Sequence, residues 1–188
     1  LDRDLESQEG LSGYIAQGTG RRALETMAGH LLQSRQRAFT WTGPYGCGKS
    51  SLALLLCSLV SAYETRQVAV KTLNLTPGDP IAVAFAAKAG WKVDVVVGRQ
   101  ASLTADLARM LNVKTDGRAV VTALLRRAAA VKDPDAYLLV IDELGKYLEA
   151  DCASENAYLL QEIAEAANRS QAKFVLLGIL HQAVDVYA

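Results

Sequence analysis

The sequence is short of the features that mark whole classes of protein. Of its 188 residues only 6% are aromatic and only three are cysteine. Cys47, Cys57 and Cys152 have neither CxxC nor Cys/His spacing, so no zinc site and no disulfide framework is written here. So few thiols, odd in number, fit a reducing, cytoplasmic setting. An excess of either charge is missing too: 20 Lys+Arg balance 20 Asp+Glu. A net charge of zero argues against a surface that is one continuous glove for nucleic acid or an acidic membrane. No basic cluster exceeds Arg21-Arg22 or Arg126-Arg127, and nucleic-acid binding is left to local patches or other domains. The most apolar stretch, 52–60, is far short of the roughly 20 residues that cross a bilayer. No basic-then-apolar signal segment opens the chain, and repeats and low-complexity tracts are absent.

What is present is 51% hydrophobic and 21% charged residues, in a length that suits one packed domain. Residues 1–10 are polar, and 10–20 are glycine-spaced and read as loop. An amphipathic helix is predicted over 21–35, with Leu24, Met27, Ala28, Leu31 and Leu32 on one face. Strands are predicted over 37–42, 67–75, 93–97, 137–141 and 174–180. Helices are predicted over 51–64, 81–89, 103–111, 120–131 and 156–168. Several of the strands are apolar on both faces and alternate with helices, the pattern of a parallel sheet covered on both sides. The fold class is therefore α/β, a three-layer arrangement of a mostly parallel sheet between helices. Residues 1–36 form an N-terminal linker and helix, and 37–188 the core. The chain begins at Leu1 and ends just after an apolar strand, and it reads as a piece of a longer protein.

In open parallel sheets ligands bind at the carboxyl ends of the strands, and the distinctive residues fall there. Gly43-Pro44-Tyr45-Gly46-Cys47-Gly48-Lys49-Ser50 fits G-x-x-x-x-G-K-[ST] between a predicted strand and a predicted helix. Glycines let such a loop turn its backbone inward. The N–H groups from Gly46 to Ser51 would face a β-phosphate at a positive helix end. Lys49 would reach the β- and γ-phosphates, and the Ser50 hydroxyl could take Mg²⁺. Cys47 lies in the loop, where oxidation would put bulk beside the phosphates. The plainer reading is a small side chain at a variable position.

The strand YLLVI delivers Asp142 and Glu143 to its carboxyl end. Asp142 would hold Mg²⁺ beside Ser50, and Glu143 would act as general base on the attacking water. Together the two motifs resemble Walker A and Walker B of the P-loop NTPases. The Asp-Glu doublet resembles the branch that includes AAA+, STAND and RecA-like ATPases. The stretch IDELGKYLE, the helix AYLLQEIAEAANRS and the strand FVLLGILHQ look most like ATPase modules of large bacterial AAA+/STAND-type proteins. Several of those belong to anti-phage defence or DNA-processing systems.

The resemblance implies a P-loop fold, ATP and Mg²⁺ as ligands, and homo-oligomers or larger assemblies formed through other domains. It also implies a polar γ-phosphate sensor after the last strand, where this chain has His181 and Gln182 and the family more often has Asn, Thr or Ser. The helical lid and a trans-acting arginine are not in this stretch. Arg126, Arg127 and Arg169 stand outside the family's position for that arginine. Tyr14, Ile15 and the turn at Gly18 to Gly20 are candidates to wrap an adenine. Asn112-Val113-Lys114-Thr115-Asp116 has the wrong spacing for the guanine-reading N-K-x-D, which favours ATP over GTP. Two other functions stay open: a nucleotide-gated oligomerisation switch with little turnover, and a small-molecule P-loop kinase.

Overall fold

The computed structural model describes residues 18–170 and 173–181. Twelve elements alternate along them. They are α1 (Gly18–Gln33), β1 (Ala38–Thr42), α2 (Lys49–Leu59), α3 (Tyr63–Thr72), α4 (Pro80–Ala84), β2 (Lys92–Val97), α5 (Leu103–Leu111), α6 (Gly117–Ala129), β3 (Tyr137–Asp142), α7 (Gly145–Leu148), α8 (Ala153–Arg169) and β4 (Phe174–Leu180). The four strands form one all-parallel sheet in the order β1-β4-β3-β2.

The period-two alternation of the central strands divides the core in two. Leu138, Val140, Val175, Leu177 and Ile179 face a cluster built with α1 to α4, including Leu24, Met27, Leu55, Leu56 and Phe85. Tyr137, Leu139, Ile141, Phe174 and Leu176 face the opposite cluster, built with α5 to α8, including Leu107, Leu124 and Ile163. Every residue of β3 and β4 is buried, as strands covered on both faces must be. The helix of the N-terminal part shares the first cluster with the sheet, through Leu24, Met27 and Ala28.

Three local expectations are corrected. Residues 67–75 are not a strand, because α3 runs through Thr72 and ends at the left-handed Asn74, φ 50°. Val68 and Val70 mimic alternation, but the residues that reach the core are Ala69 and Leu73, one helical turn apart. The leucine-rich helix stops at Leu59 rather than 64, and the chain turns at Ser61 and Ala62 before α3. Gly18 to Gly20 form the first turn of α1 rather than a loop. There Arg21 pairs with Glu25 at 2.9 Å and with Asp79, before α4, at 2.6 Å. Tyr14, Ile15 and Gln182 lie outside the described residues.

The register brings the strand ends to one edge. Thr42 pairs with Leu180 and Val97 with Asp142. Since β4 sits between β1 and β3, His181, which follows it, falls between the glycine-rich loop and the acidic pair.

Candidate functional site

The loop between β1 and α2 takes backbone conformations that favour glycine: φ is 76° at Gly46 and 85° at Gly48. Gly48 is the N-cap of α2, and no side chain caps that helix. The first-turn N–H groups of α2, from Lys49, Ser50 and Ser51, have no intrahelical acceptor by construction. They therefore stand ready for an anion. Lys49 is only 9% exposed, and its Nζ donates to the carbonyls of Gly43 and Pro44 at 2.6 and 2.7 Å. The Sγ of Cys47 lies 3.5 Å from the same nitrogen. Cys47 is exposed, whereas Cys57, in α2, is buried and burial pushes its thiol up to about 12, where it is inert.

Ser50 and Asp142 meet across 92 residues of sequence. The Ser50 hydroxyl donates to Asp142 Oδ2 at 3.1 Å and lies 3.3 Å from Oδ1. Asp142 is 5% exposed and also accepts from the Glu143 N–H at 2.9 Å. Among the described residues no cation pairs with this buried carboxylate.

Glu143 has a left-handed backbone, φ 52°. Among the described residues the other two non-glycine positions with positive φ are Asn74 and Asn112. Asparagine tolerates that region well and glutamate does not. Neighbours hold it there. The Gly98 N–H donates to the Asp142 carbonyl at 2.7 Å, and the Leu144 N–H donates to the Ile179 carbonyl at 2.9 Å. A Cβ on Gly98 would collide with the Glu143 carbonyl oxygen and lie 2.8 Å from its carbon. Only glycine lets β2 end against this peptide.

The side chain of Glu143 is engaged at one oxygen, and the other lies beyond hydrogen-bond distance of its nearest imidazole nitrogen. Lys146 pairs with Oε2, and His181 Nε2 lies 3.8 Å from Oε1. The carboxylate raises the Lys146 ammonium above its ordinary value, with smaller pushes from Tyr45 and Asp142. His181 stacks on Tyr45 of the loop, ring centroids 3.8 Å apart and planes 16° apart. Tyr45 is nonetheless 71% exposed, and both imidazole nitrogens are buried without a hydrogen-bond partner among the described residues. The stack ties the end of β4 to the glycine-rich loop.

Behind the acidic pair lies a polar anchor that sequence reading missed. Asp106 in α5 accepts from Arg99 Nε at 2.8 Å and from the Tyr147 hydroxyl at 2.7 Å, and Arg109 lies 3.3 Å away. The Arg99 guanidinium holds the Asp106 carboxyl below its usual range despite burial. Asn156 in α8 donates to the carbonyls of Tyr147 and Ala101 at 2.8 and 3.0 Å, and accepts from the Leu103 N–H at 2.8 Å. These bonds fix the segment after Gly98 and the short α7 that carries Lys146. A glycine directly after a β-branched run marks where a strand stops. Nothing in the sequence says that its missing side chain makes room for a residue 45 positions later.

Gly98→Ala is therefore expected to displace the Glu143–Leu144 peptide while leaving the loop and α2 in place. Turnover of any reaction run by Glu143 should fall by roughly a hundredfold, the scale of a misplaced catalytic group. Affinity for an anion bound at the loop should hold. Steady-state rates beside a binding titration decide this, and an unchanged rate contradicts it.

Two troughs, one of about 790 Å³ along α6 and one of about 700 Å³ between the start of α6 and α8, are lined by no residue of the loop or of the acidic pair. That is reasonable for a phosphate site, which is made by backbone N–H groups around a loop rather than by a deep apolar cavity. Asn112, Lys114 and Asp116 line the larger trough, not this site.

The fold and site define an α/β domain with an all-parallel sheet whose carboxyl edge joins a glycine-rich loop, a buried aspartate and a constrained glutamate. No protein-family model, no curated protein and no solved structure matches the chain. No helix among the described residues is long and apolar enough to cross a membrane.

Proposed function

We propose that this chain is a Mg²⁺-dependent ATPase domain of the AAA+/STAND-like kind, whose hydrolysis drives assembly or remodelling in a larger cytoplasmic protein. One observation carries the reading: the Ser50 hydroxyl, at the start of the helix after the glycine-rich loop, lies 3.1 Å from the buried carboxylate of Asp142. A phosphate-binding loop and an acidic strand end are each common alone. Their side chains meeting across the sheet edge is what metal-assisted phosphoryl chemistry requires.

The donor set fits Mg²⁺. A buried carboxylate without a cation is costly, and Asp142 is one among the described residues. No group of three His, Cys, Asp or Glu side chains among those residues could hold a metal by itself. Magnesium normally uses one or two carboxylates together with substrate phosphates and water. Ser50 and Asp142 would hold it, and it would neutralise charge on the phosphates.

The chain's own groups do the rest. The N–H groups from Gly46 to Ser51 bind phosphate oxygens, with Pro44, Tyr45 and Cys47 shaping the loop around them. Lys49 turns from the loop carbonyls to the β- and γ-phosphates. Glu143 takes the proton of the attacking water, and His181 sits where a γ-phosphate sensor would. The absence of a guanine-reading N-K-x-D favours ATP. Glu143 Oε2 is covered by the Lys146 ammonium, which supports a second reading, a nucleotide-gated switch with slow turnover. Size-exclusion chromatography with ATP, ADP or no nucleotide, beside phosphate release, separates the two: assembly without release favours the switch.

The metal reading has its own test. Mg²⁺ alone is expected to leave the thermal midpoint of the chain unchanged. Mg²⁺ with ATP at about 100 times Kd is expected to raise stability by about 2.7 kcal/mol. Chelation by EDTA should remove most of that shift and all phosphate release. An equal shift with Mg²⁺ alone, or release that survives chelation, contradicts the assignment.

A further inference from the structure

A phosphoryl group in transfer spreads negative charge over its outer oxygens, and cations aimed there supply much of the rate. Lys49 is one such cation, but its nitrogen is already shared between two loop carbonyls. The paired arginines of the described residues are committed elsewhere. Arg21 is held by Glu25 and Asp79, Arg99 and Arg109 by Asp106, Arg127 by Asp94, and Arg169 by Glu165. Arg118 and Arg126 line the trough along α6.

Lys146 differs from all of these. Its ammonium rests on Glu143, the residue assigned to the water. It stands on α7, three residues after Glu143 and directly beyond the carboxyl end of β3. Its side chain is 43% exposed and free to swing. An exposed pair three residues apart is weak, and a more highly charged phosphate arriving beside it outcompetes a single carboxylate. In the pairing seen here, Glu143 Oε2 is covered by an ammonium and cannot accept a proton from water.

We propose that Lys146 is a catalytic residue: when ATP binds, its ammonium leaves Glu143 for the terminal phosphate, which frees the base and puts a positive charge on the transferring group. The inference rests on the hydrolytic reading of Glu143. In the step, the water oxygen bonds to the γ-phosphorus while the bond from that phosphorus to the β–γ bridging oxygen breaks. The electron pair of that bond goes to the departing ADP, and a water proton goes to Glu143 Oε2. The cation this reaction needs is thus carried in the same chain, three residues after the base.

The test compares Lys146→Met and Lys146→Arg with the unmodified chain on two ligands, ADP and ADP with aluminium fluoride, a mimic of the group in transfer. Lys146→Met should lose about a hundredfold in kcat, the usual cost of one charge-stabilising donor. Its ADP affinity should stay within about threefold, because ADP lacks the terminal phosphate that the ammonium meets. Its affinity for the fluoride complex should fall in parallel with kcat. Lys146→Arg should recover most of both, since it restores the charge. Lys146→Met turnover at or above the normal rate overturns the proposal, and so does equal weakening of ADP and the mimic, which marks a structural role. If the unmodified chain releases phosphate, Glu143→Gln does not and Lys146→Met does, only the Lys146 assignment fails. If the unmodified chain releases none, the hydrolytic reading fails and takes this inference with it.

Discussion

Lys49→Ala is expected to abolish ATP binding at concentrations where the unmodified chain is saturated. The lysine has two tasks, and the substitution removes both. Its ammonium is buried against the Gly43 and Pro44 carbonyls, so its loss leaves two oxygens facing inward without their donor. It is also the point charge for the β- and γ-phosphates. Hydrogen bonds to charged groups contribute about 1.5–3 kcal/mol each, so losing even one weakens binding by roughly ten- to a hundredfold, and losing two takes it beyond ordinary detection. Calorimetric titration with ATP measures this. A thermal midpoint close to that of the unmodified chain would show that the fold survives. Lys49 is the first residue of α2 and lies outside the two apolar clusters, so survival is expected. Affinity within threefold of normal would remove Lys49 from the phosphate site.

Glu143→Gln is expected to do the reverse: to bind ATP normally and hydrolyse almost none. Glutamine keeps the shape and length of the side chain but cannot take a proton from water. Positioned general bases contribute about 10²- to 10⁴-fold, and the fall in kcat should lie in that range. The substitution also removes the Lys146 ion pair, which is partly exposed and contributes little to stability. The constrained backbone at residue 143 is held by Gly98 and by main-chain bonds rather than by the carboxylate, so the loop, Ser50 and Asp142 should be undisturbed. Single-turnover kinetics with a binding control read the split directly.

The parts of this molecule legible in its sequence are those whose signal is local. The strands of 137–141 and 174–180 are apolar on both faces, and a run such as YLLVI has few other uses in a domain of this size. The glycine-rich loop is legible because glycine spacing and a following lysine constrain backbone and charge within eight residues. The failed strand at 67–75 shows the limit. Val68 and Val70 alternate as a strand would, and only the packing of Ala69 and Leu73 against the first core cluster decides for helix. Gly98, Asp106, Asn156 and Lys146 were not legible as site residues for a related reason. Gly98 acts through a peptide 45 residues on and Asn156 through the start of α5, 53 residues earlier, while Lys146 meets Glu143 only because a left-handed turn and a short helix bring them together. The Asp-Glu doublet is visible in the sequence, but the left-handed turn at its second member, and the glycine that permits it, are products of the sheet.

The most direct measurement is phosphate release and ATP binding on the same preparation of the 188-residue chain and its Glu143→Gln variant, with Mg²⁺ present. The unmodified chain should bind ATP and release phosphate, and the variant should bind as tightly and release at least a hundredfold less, the lower end expected for a lost general base. No ATP binding by the unmodified chain, or equal release by both, would contradict the assignment of this site to ATP hydrolysis.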